Sequence, residues 1–211
     1  MDDIERLVNN LSQDVQAVKP VPHPILLSLR WLAAAFGYLV IALVISGVRP
    51  DLGLQLNHPW FVAEIAMLAA ILITTASSAA LLSFPDLHQQ RALAFAPAGI
   101  FALFVLVIVC AWQGDSPPAP LPLHSFECTL SILGISLLPT AAIFYVMRRF
   151  ASTHPGLSGT TAVLFAFGIG ALWLRLYESN DSILHVIEWH YLPMIAVGLS
   201  GLWLGKRLLR W

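Results

Sequence analysis

The sequence predicts an all-α polytopic membrane protein, with six transmembrane helices preceded by a short amphipathic N-terminal cytoplasmic helix. Three observations predict it. The chain of 211 residues is 58% hydrophobic and 11% charged, with a mean hydropathy of +0.77, whereas a soluble globular chain carries about 25% charged residues. Six apolar stretches approach or exceed the roughly 20 residues that a helix needs to cross a hydrocarbon core. They fall at about 26–48, 59–83, 93–113, 125–147, 159–177 and 187–205. Ahead of them lies a polar segment whose apolar residues step by threes and fours. The chain therefore divides into a tail, residues 1–25, and a transmembrane domain, residues 26–211.

The tail opens Met1-Asp2-Asp3-Ile4-Glu5. A cleavable signal peptide starts basic and runs into an apolar core, so this acidic start is expected to be retained. Ile4, Leu7, Val8, Leu11, Val15 and Val18 form one stripe of a helix over residues 2–18. Asp2, Asp3 and Glu5 sit where the helix dipole favours negative charge. Arg6, Asn9, Asn10, Gln13, Asp14 and Gln16 make the polar face, and Lys19-Pro20-Val21-Pro22-His23-Pro24 ends the helix as an extended tether. Two readings compete for the stripe. A helix lying on the membrane surface is usually rich in Lys and Arg and carries Trp or Phe on its apolar face. This one is acidic and aliphatic, which favours a helix that docks into a partner's groove. A free helix this short is marginal in water, so it orders fully on binding.

The spans lack the apolar–polar alternation of a barrel, and backbone groups in hydrocarbon must be satisfied within the segment, so each is read as a helix. Breakers separate them: Arg49-Pro50-Asp51, Phe84-Pro85-Asp86, Gly114-Asp115-Ser116-Pro117-Pro118, His154-Pro155-Gly156 and Ser179-Asn180-Asp181. The run from Pro117 to Pro122 reads as a stiff extended connector. No internal repeat stands out. With the N-terminus inside, the inner side holds Arg6, Lys19, Arg91, Arg148, Arg149, Lys206, Arg207 and Arg210. The outer side holds Arg49 and Arg175, and Arg30 lies within span one. This bias places both termini in the cytoplasm.

Ionisable residues gather near the outer ends of the spans: Glu64, then His124 and Glu127 beside Cys128, then Arg175 and Glu178, then Asp181, His185, Glu188 and His190. A charge within a span normally faces the bundle interior with a partner. Arg175 would therefore pair with Glu64, Glu127 or Glu188. His185 and Glu188, three apart, share a face of a regular helix, and His124, Cys128 and His190 could converge on it. The cluster reads either as buried polar packing or as a sensing site made of Cys128, His124, Glu127, Arg175, His185, Glu188 and His190. Imidazole with thiolate suits a soft or borderline divalent metal, but no compact ligand motif is present, and whether a metal binds stays open. Cys110 is the second cysteine, and spacing alone does not pair it with Cys128.

Several function classes are disfavoured. A net charge of −1 with no basic run argues against direct nucleic-acid binding. No GxSxG, HExxH or Gly-rich phosphate loop occurs, and little chain is left for a soluble catalytic domain, so no enzyme activity and no cofactor are expected. The seven histidines lie in loops or at span ends, which is a poor arrangement for haem. Matched broken helices, the sign of a transporter, are not found.

Taken together, several motifs carry a resemblance. They are Ile4-Glu5-Arg6-Leu7 through Val18-Lys19-Pro20, Arg49-Pro50-Asp51-Leu52, Cys128-Thr129-Leu130 with Leu137-Leu138-Pro139, and Leu174-Arg175-Leu176. They continue with Asp181-Ser182 followed by His185 and Trp189-His190-Tyr191-Leu192-Pro193, and end at Gly205-Lys206-Arg207. In this order and spacing the chain resembles the NrsF-type negative regulators of sigma-F, integral-membrane anti-sigma factors of proteobacteria. The resemblance implies that the N-terminal segment holds an extracytoplasmic-function sigma factor at the membrane and frees it under stress. In that family a pair of outer-side cysteines is linked to sensing. Cys128 matches the first, and Tyr177 stands where the second is expected. The partner expectations are thus a sigma factor and the lipid bilayer, with the oligomeric state open. The competing expectation is a small membrane transporter or metal-handling protein using His124, Glu127, Cys128, His185 and His190. A structural subunit of a larger membrane complex is a third.

Overall fold

A computed structural model describes residues 2–13, 22–85, 90–114 and 125–210. The elements are α1 (Asp2–Gln13), α2 (Pro24–Ser46), α3 (Leu52–Gln55), α4 (Pro59–Leu82), α5 (Arg91–Gly114), α6 (Phe126–Met147), α7 (Pro155–Tyr177) and α8 (Ile183–His185). A π-helical turn over Val186–Tyr191 and α9 (Leu192–Leu208) complete the chain. No strand occurs among the described residues. Six helical stretches are long and apolar enough to cross a membrane: α2, α4, α5, α6, α7 and the continuous run Ile183–Leu208. The all-α, six-span fold class expected from the sequence is the one observed.

Proline explains where three of the spans begin. Pro24, Pro59 and Pro155 each open their helix, a position where the missing N–H costs nothing and the fixed φ is already helical. The His154-Pro155-Gly156 breaker is therefore the first turn of α7, which starts at 155 instead of 159. The last span likewise starts at Ile183 rather than 187, which brings His185 into it.

Prolines later in the helices leave a carbonyl four residues upstream without its usual partner. Two of these carbonyls are served by a hydroxyl from a neighbouring helix. Upstream of Pro139 in α6, the Ile135 carbonyl accepts from Tyr38 Oη of α2 at 2.9 Å. Upstream of Pro193, the Trp189 carbonyl accepts from Thr129 Oγ1 of α6 at 2.6 Å. Inside a membrane, where water cannot fill such gaps, this is how a broken ladder is tolerated.

The helix α7 is the axis of the bundle, buried along most of its length and packed against α9, α4 and α6. Helices α2 and α5 lean on α4 from outside. The α7–α9 contact is made backbone to backbone through Gly159, Gly201 and Gly205. A Cβ on Gly201 would lie 2.7 Å from Thr160 Cα, and one on Gly159 would lie 2.5 Å from Gly205 Cα. Thr160 Oγ1 adds a hydrogen bond to the Gly198 carbonyl at 3.1 Å. Small residues do this in membranes because lipid offers no hydrophobic drive to pair helices, so close van der Waals contact must supply it.

The two ends of the bundle differ. At the near end, where α2 begins, Ser152 and Ser158 both donate to the Leu82 carbonyl (2.7 and 2.9 Å), and Arg148 Nε donates to the Leu208 carbonyl (3.2 Å). At the far end, α2 stops at Gly47, whose φ of 87° only glycine adopts freely. The turn delivers Arg49 to the end of α7, where its N–H donates to the Leu176 carbonyl at 2.9 Å.

Candidate functional site

The far end holds two adjoining constellations. The first is an arginine clamp. Arg49 and Arg175 have side chains only 0% and 5% exposed, and both share Asp181. Arg49 reaches Asp181 through Nη1 (2.9 Å) and Nη2 (2.5 Å), and Arg175 through Nη1 (2.7 Å). Arg49 also holds Asp51 with two bonds of 2.8 Å. Arg175 Nε donates to Glu64 at 2.9 Å, and Tyr191 donates its hydroxyl to the same oxygen. Both guanidiniums lie over the Phe61 ring, 5.3 and 5.0 Å from its centroid. Bidentate geometry, aromatic stacking and shared carboxylates suit arginine and not lysine. The clamp ties the α2–α3 connector, α4, α7 and the segment leading into α8 into one unit. A cavity of about 240 Å³ opens beside it, with Glu64, Arg175, Asp181 and Tyr191 in its lining.

The clamp answers which carboxylates Arg175 takes. Of the three considered from sequence, Glu64 is the partner. Glu127 and Glu188 are exposed and hold neither arginine. Asp181 and Asp51, which sit in connectors, supply the rest.

The second constellation is Cys128, Glu178, His185 and His190, whose ligand atoms all lie within 4.8 Å of one another. Cys128 comes from the first turn of α6, Glu178 caps the end of α7, His185 ends α8, and His190 lies within the π turn. His185 Nε2 lies 3.3 Å from Glu178 Oε1, and His190 Nε2 lies 3.1 Å from Glu178 Oε2. Cys128 Sγ is 3.5 Å from both carboxylate oxygens. The rings are 2% and 0% exposed, and their centroids are 5.1 Å apart. Neither nitrogen of either ring makes an aligned hydrogen bond among the described residues. Burial alone would raise the Glu178 carboxyl, but His190 and His185 beside it draw it below the ordinary value.

The π turn creates this pairing. In an α-helix, residues five apart are rotated by roughly 140°. In a π turn the hydrogen bonds run from i to i+5, so residues five apart come close to alignment. His185 therefore meets His190, while Glu188 points to the exposed side. The expectation that His185 and Glu188 share the working face assumed a regular helix. The signal in the sequence was Pro193, which removes a donor just after His190.

The remaining candidates fall as follows. His124 lies outside the described residues, as do Val15 and Val18. Ile4, Leu7 and Val8 lie on α1 and are 57–69% exposed. Leu11 is in the same helix. Cys110 and Cys128 are both free thiols.

The connector carboxylates give the clamp a defined pH response. Hydrogen bonds from Arg49 hold Asp51 below its ordinary value of 3.8. At Asp181 burial pushes the carboxyl up, and Arg49 with Arg175 more than reverses it. A carboxyl lowered in the folded state contributes stability that is complete above its unfolded pKa and is lost as pH falls through the folded one. The thermal-stability gap between the native chain and Asp181→Asn in detergent should hold constant from about pH 5 to 8 and shrink toward about pH 3. A gap that stays constant down to pH 3 would contradict this role.

Comparison with known proteins agrees with the motifs. The family described as "NrsF: Negative regulator of sigma F" matches residues 11–211. The chain is 28% identical over 187 residues to the "Anti-sigma-F factor NrsF" of Caulobacter vibrioides, covering 85% of this chain and 87% of that one. It is 27% identical over 188 residues to the "Probable anti-sigma-F factor NrsF" of Azospira oryzae, covering 88% and 87%. No solved structure matches the chain. A match running from the tail through all six spans shows that this chain belongs to the NrsF family of negative regulators of sigma F.

Proposed function

We propose that the chain is an integral inner-membrane anti-sigma factor. It holds an extracytoplasmic-function sigma factor through its cytoplasmic N-terminal segment and releases it when a signal reaches the far end of the bundle from the envelope side. The observation that carries this reading is α1. Its stripe residues Ile4, Leu7 and Val8 are exposed on a helix whose first turn is acidic. Anchors at i, i+3 and i+4 are the pattern by which a helix lies in an apolar groove. The names of the relatives supply the kind of partner.

The charge distribution supports the orientation. Arg148, Arg149, Lys206, Arg207 and Arg210 lie at the near end with the tail. Arg49 and Arg175 at the far end are consumed by Asp51, Asp181 and Glu64, so they add little free positive charge to that side. Between the ends runs α7, bound to α9 through glycines and to the far-end clamp through Arg175. A signal that repacks the far end would shift the near end only if it binds the two arrangements with different affinity.

Leu7→Asp with Leu11→Asp tests the tail. The double variant should stay in the membrane at the native level, retain at least about 100-fold less sigma factor on co-purification, and raise transcription of a sigma-dependent reporter, because buried anchor side chains carry most of the energy of such an interface. Undiminished retention by the double variant would remove the tail as the docking element.

A further inference from the structure

We propose that Cys128, Glu178, His185 and His190 form a binding site for one divalent transition-metal ion of borderline softness, of which zinc(II) is the type. Geometry carries the proposal. Four residues from three of the six spans and their ends place one ligand atom each within 4.8 Å of the others. A tetrahedral site with bonds of about 2.0–2.3 Å sets its ligands roughly 3.3–3.8 Å apart. His185 lies 3.3 Å from one Glu178 oxygen, His190 3.1 Å from the other and Cys128 3.5 Å from both, so drawing the four ligand atoms from within 4.8 Å to that spacing takes only side-chain movement.

A second observation points to a ligand independently. The Nδ1 atoms of His185 and His190 are buried with no hydrogen-bond partner, and their Nε2 atoms meet only Glu178, at 3.3 and 3.1 Å and without hydrogen-bond alignment. Buried polar atoms are rarely left this way, since each costs about 1–3 kcal/mol. Protonating the rings would not resolve it, because two imidazolium groups with centroids 5.1 Å apart would face a single carboxylate. A dication accepts a lone pair from each ring and is balanced by the Glu178 carboxylate and the Cys128 thiolate. The thiol proton leaves to solvent as the metal enters. Two imidazoles, one thiolate and one carboxylate are all donors that zinc accepts, whereas an all-oxygen set would suit magnesium or calcium.

The site also has a consequence for regulation, and that part rests on the anti-sigma reading above. Its ligands come from α6, the end of α7 and the start of the last span, where α8 runs into the π turn, so metal would fix the relative positions of these three spans.

The test uses the full-length chain purified in detergent, with cobalt(II) as the spectroscopic probe. One equivalent should give the intense visible bands of four-coordinate cobalt and a thiolate charge-transfer band, both abolished by zinc. His185→Ala with His190→Ala should weaken cobalt binding at least about 100-fold. Cys128→Ser should keep the visible bands in weakened form and lose the charge-transfer band. Gel filtration and helical circular dichroism check that each variant is folded, and Glu178→Gln provides a third variant should the double histidine change not fold. Absence of tetrahedral bands in the native chain, or bands that persist in the folded histidine or glutamate variants, would overturn the proposal. Because no sigma factor is present in this experiment, a chain that binds cobalt but captures no sigma factor keeps the site and loses the anti-sigma reading.

Discussion

Replacing Arg175 with methionine should cost about 3–5 kcal/mol of stability, the range for removing one partner of a buried ion pair. The size follows from what is left behind. The Arg175 side chain is 5% exposed and that of Glu64 is 14% exposed, so the substitution strands a carboxylate in a low-dielectric setting with Tyr191 as its remaining donor. Asp181 at the same time loses one of its two guanidiniums and shifts its whole load to Arg49. The loss is a desolvation penalty rather than the net worth of a salt bridge, and a second change separates the two. In Arg175→Met with Glu64→Gln the charge is gone, and the glutamine oxygen can still accept from Tyr191. That double variant should recover at least half of the loss. Thermal or denaturant unfolding in a fixed detergent measures both. Should Arg175→Met lie within about 1 kcal/mol of the native chain, in the range of exposed pairs, the clamp is not the internal fastening described here.

Gly205→Val should be the most damaging single substitution within the α7–α9 interface. The added Cβ would fall on the Pro155 carbonyl and lie 2.9 Å from Gly159 Cα. Both obstacles are backbone, so no rotamer change relieves them, and the helices must separate along the whole run from Gly198 to Gly205. Overpacking of an ordinary core costs about 1–3 kcal/mol; with backbone on both sides the cost here should exceed about 3 kcal/mol. Gly37→Ala in α2 is the matched control. Nothing lies within 4 Å of its Cβ position, and alanine is the better helix former by about 0.5–1 kcal/mol. The two changes should therefore move stability in opposite directions, and equal behaviour would show that the glycine seam is not tight.

The spans were legible because hydropathy and length are strong signals in a membrane. Every one of the six appears within four residues of its expected start. The errors fall where proline does two things at once. Pro155 has the sequence signature of a breaker and is a helix start, since both uses exploit the same missing N–H. Arg175 implies a carboxylate on another helix, and Glu64 is it, but spacing does not choose among Glu64, Glu127 and Glu188, because that choice depends on which helices neighbour α7. Asp51 and Asp181 escaped notice as clamp residues because connector acids usually face water. Glu178 was visible as a charge at the end of a span, yet nothing linear says that it faces Cys128, fifty residues upstream. The tail stripe could be read directly, since its argument needs only the period of one helix.

The π turn has a further effect on the last span. A π turn is an α-helix carrying one inserted residue, and one extra residue advances the phase of everything after it by about 100°. The two halves of this span are thus indexed separately: one half aims His185 and His190 at Cys128 and Glu178, while the other aims Gly198, Gly201 and Gly205 at α7. An unbroken α-helix would have to misalign one of these two sets to satisfy the other. The insertion uncouples them, so the far-end histidines and the glycine seam can each take the angle their own partners require.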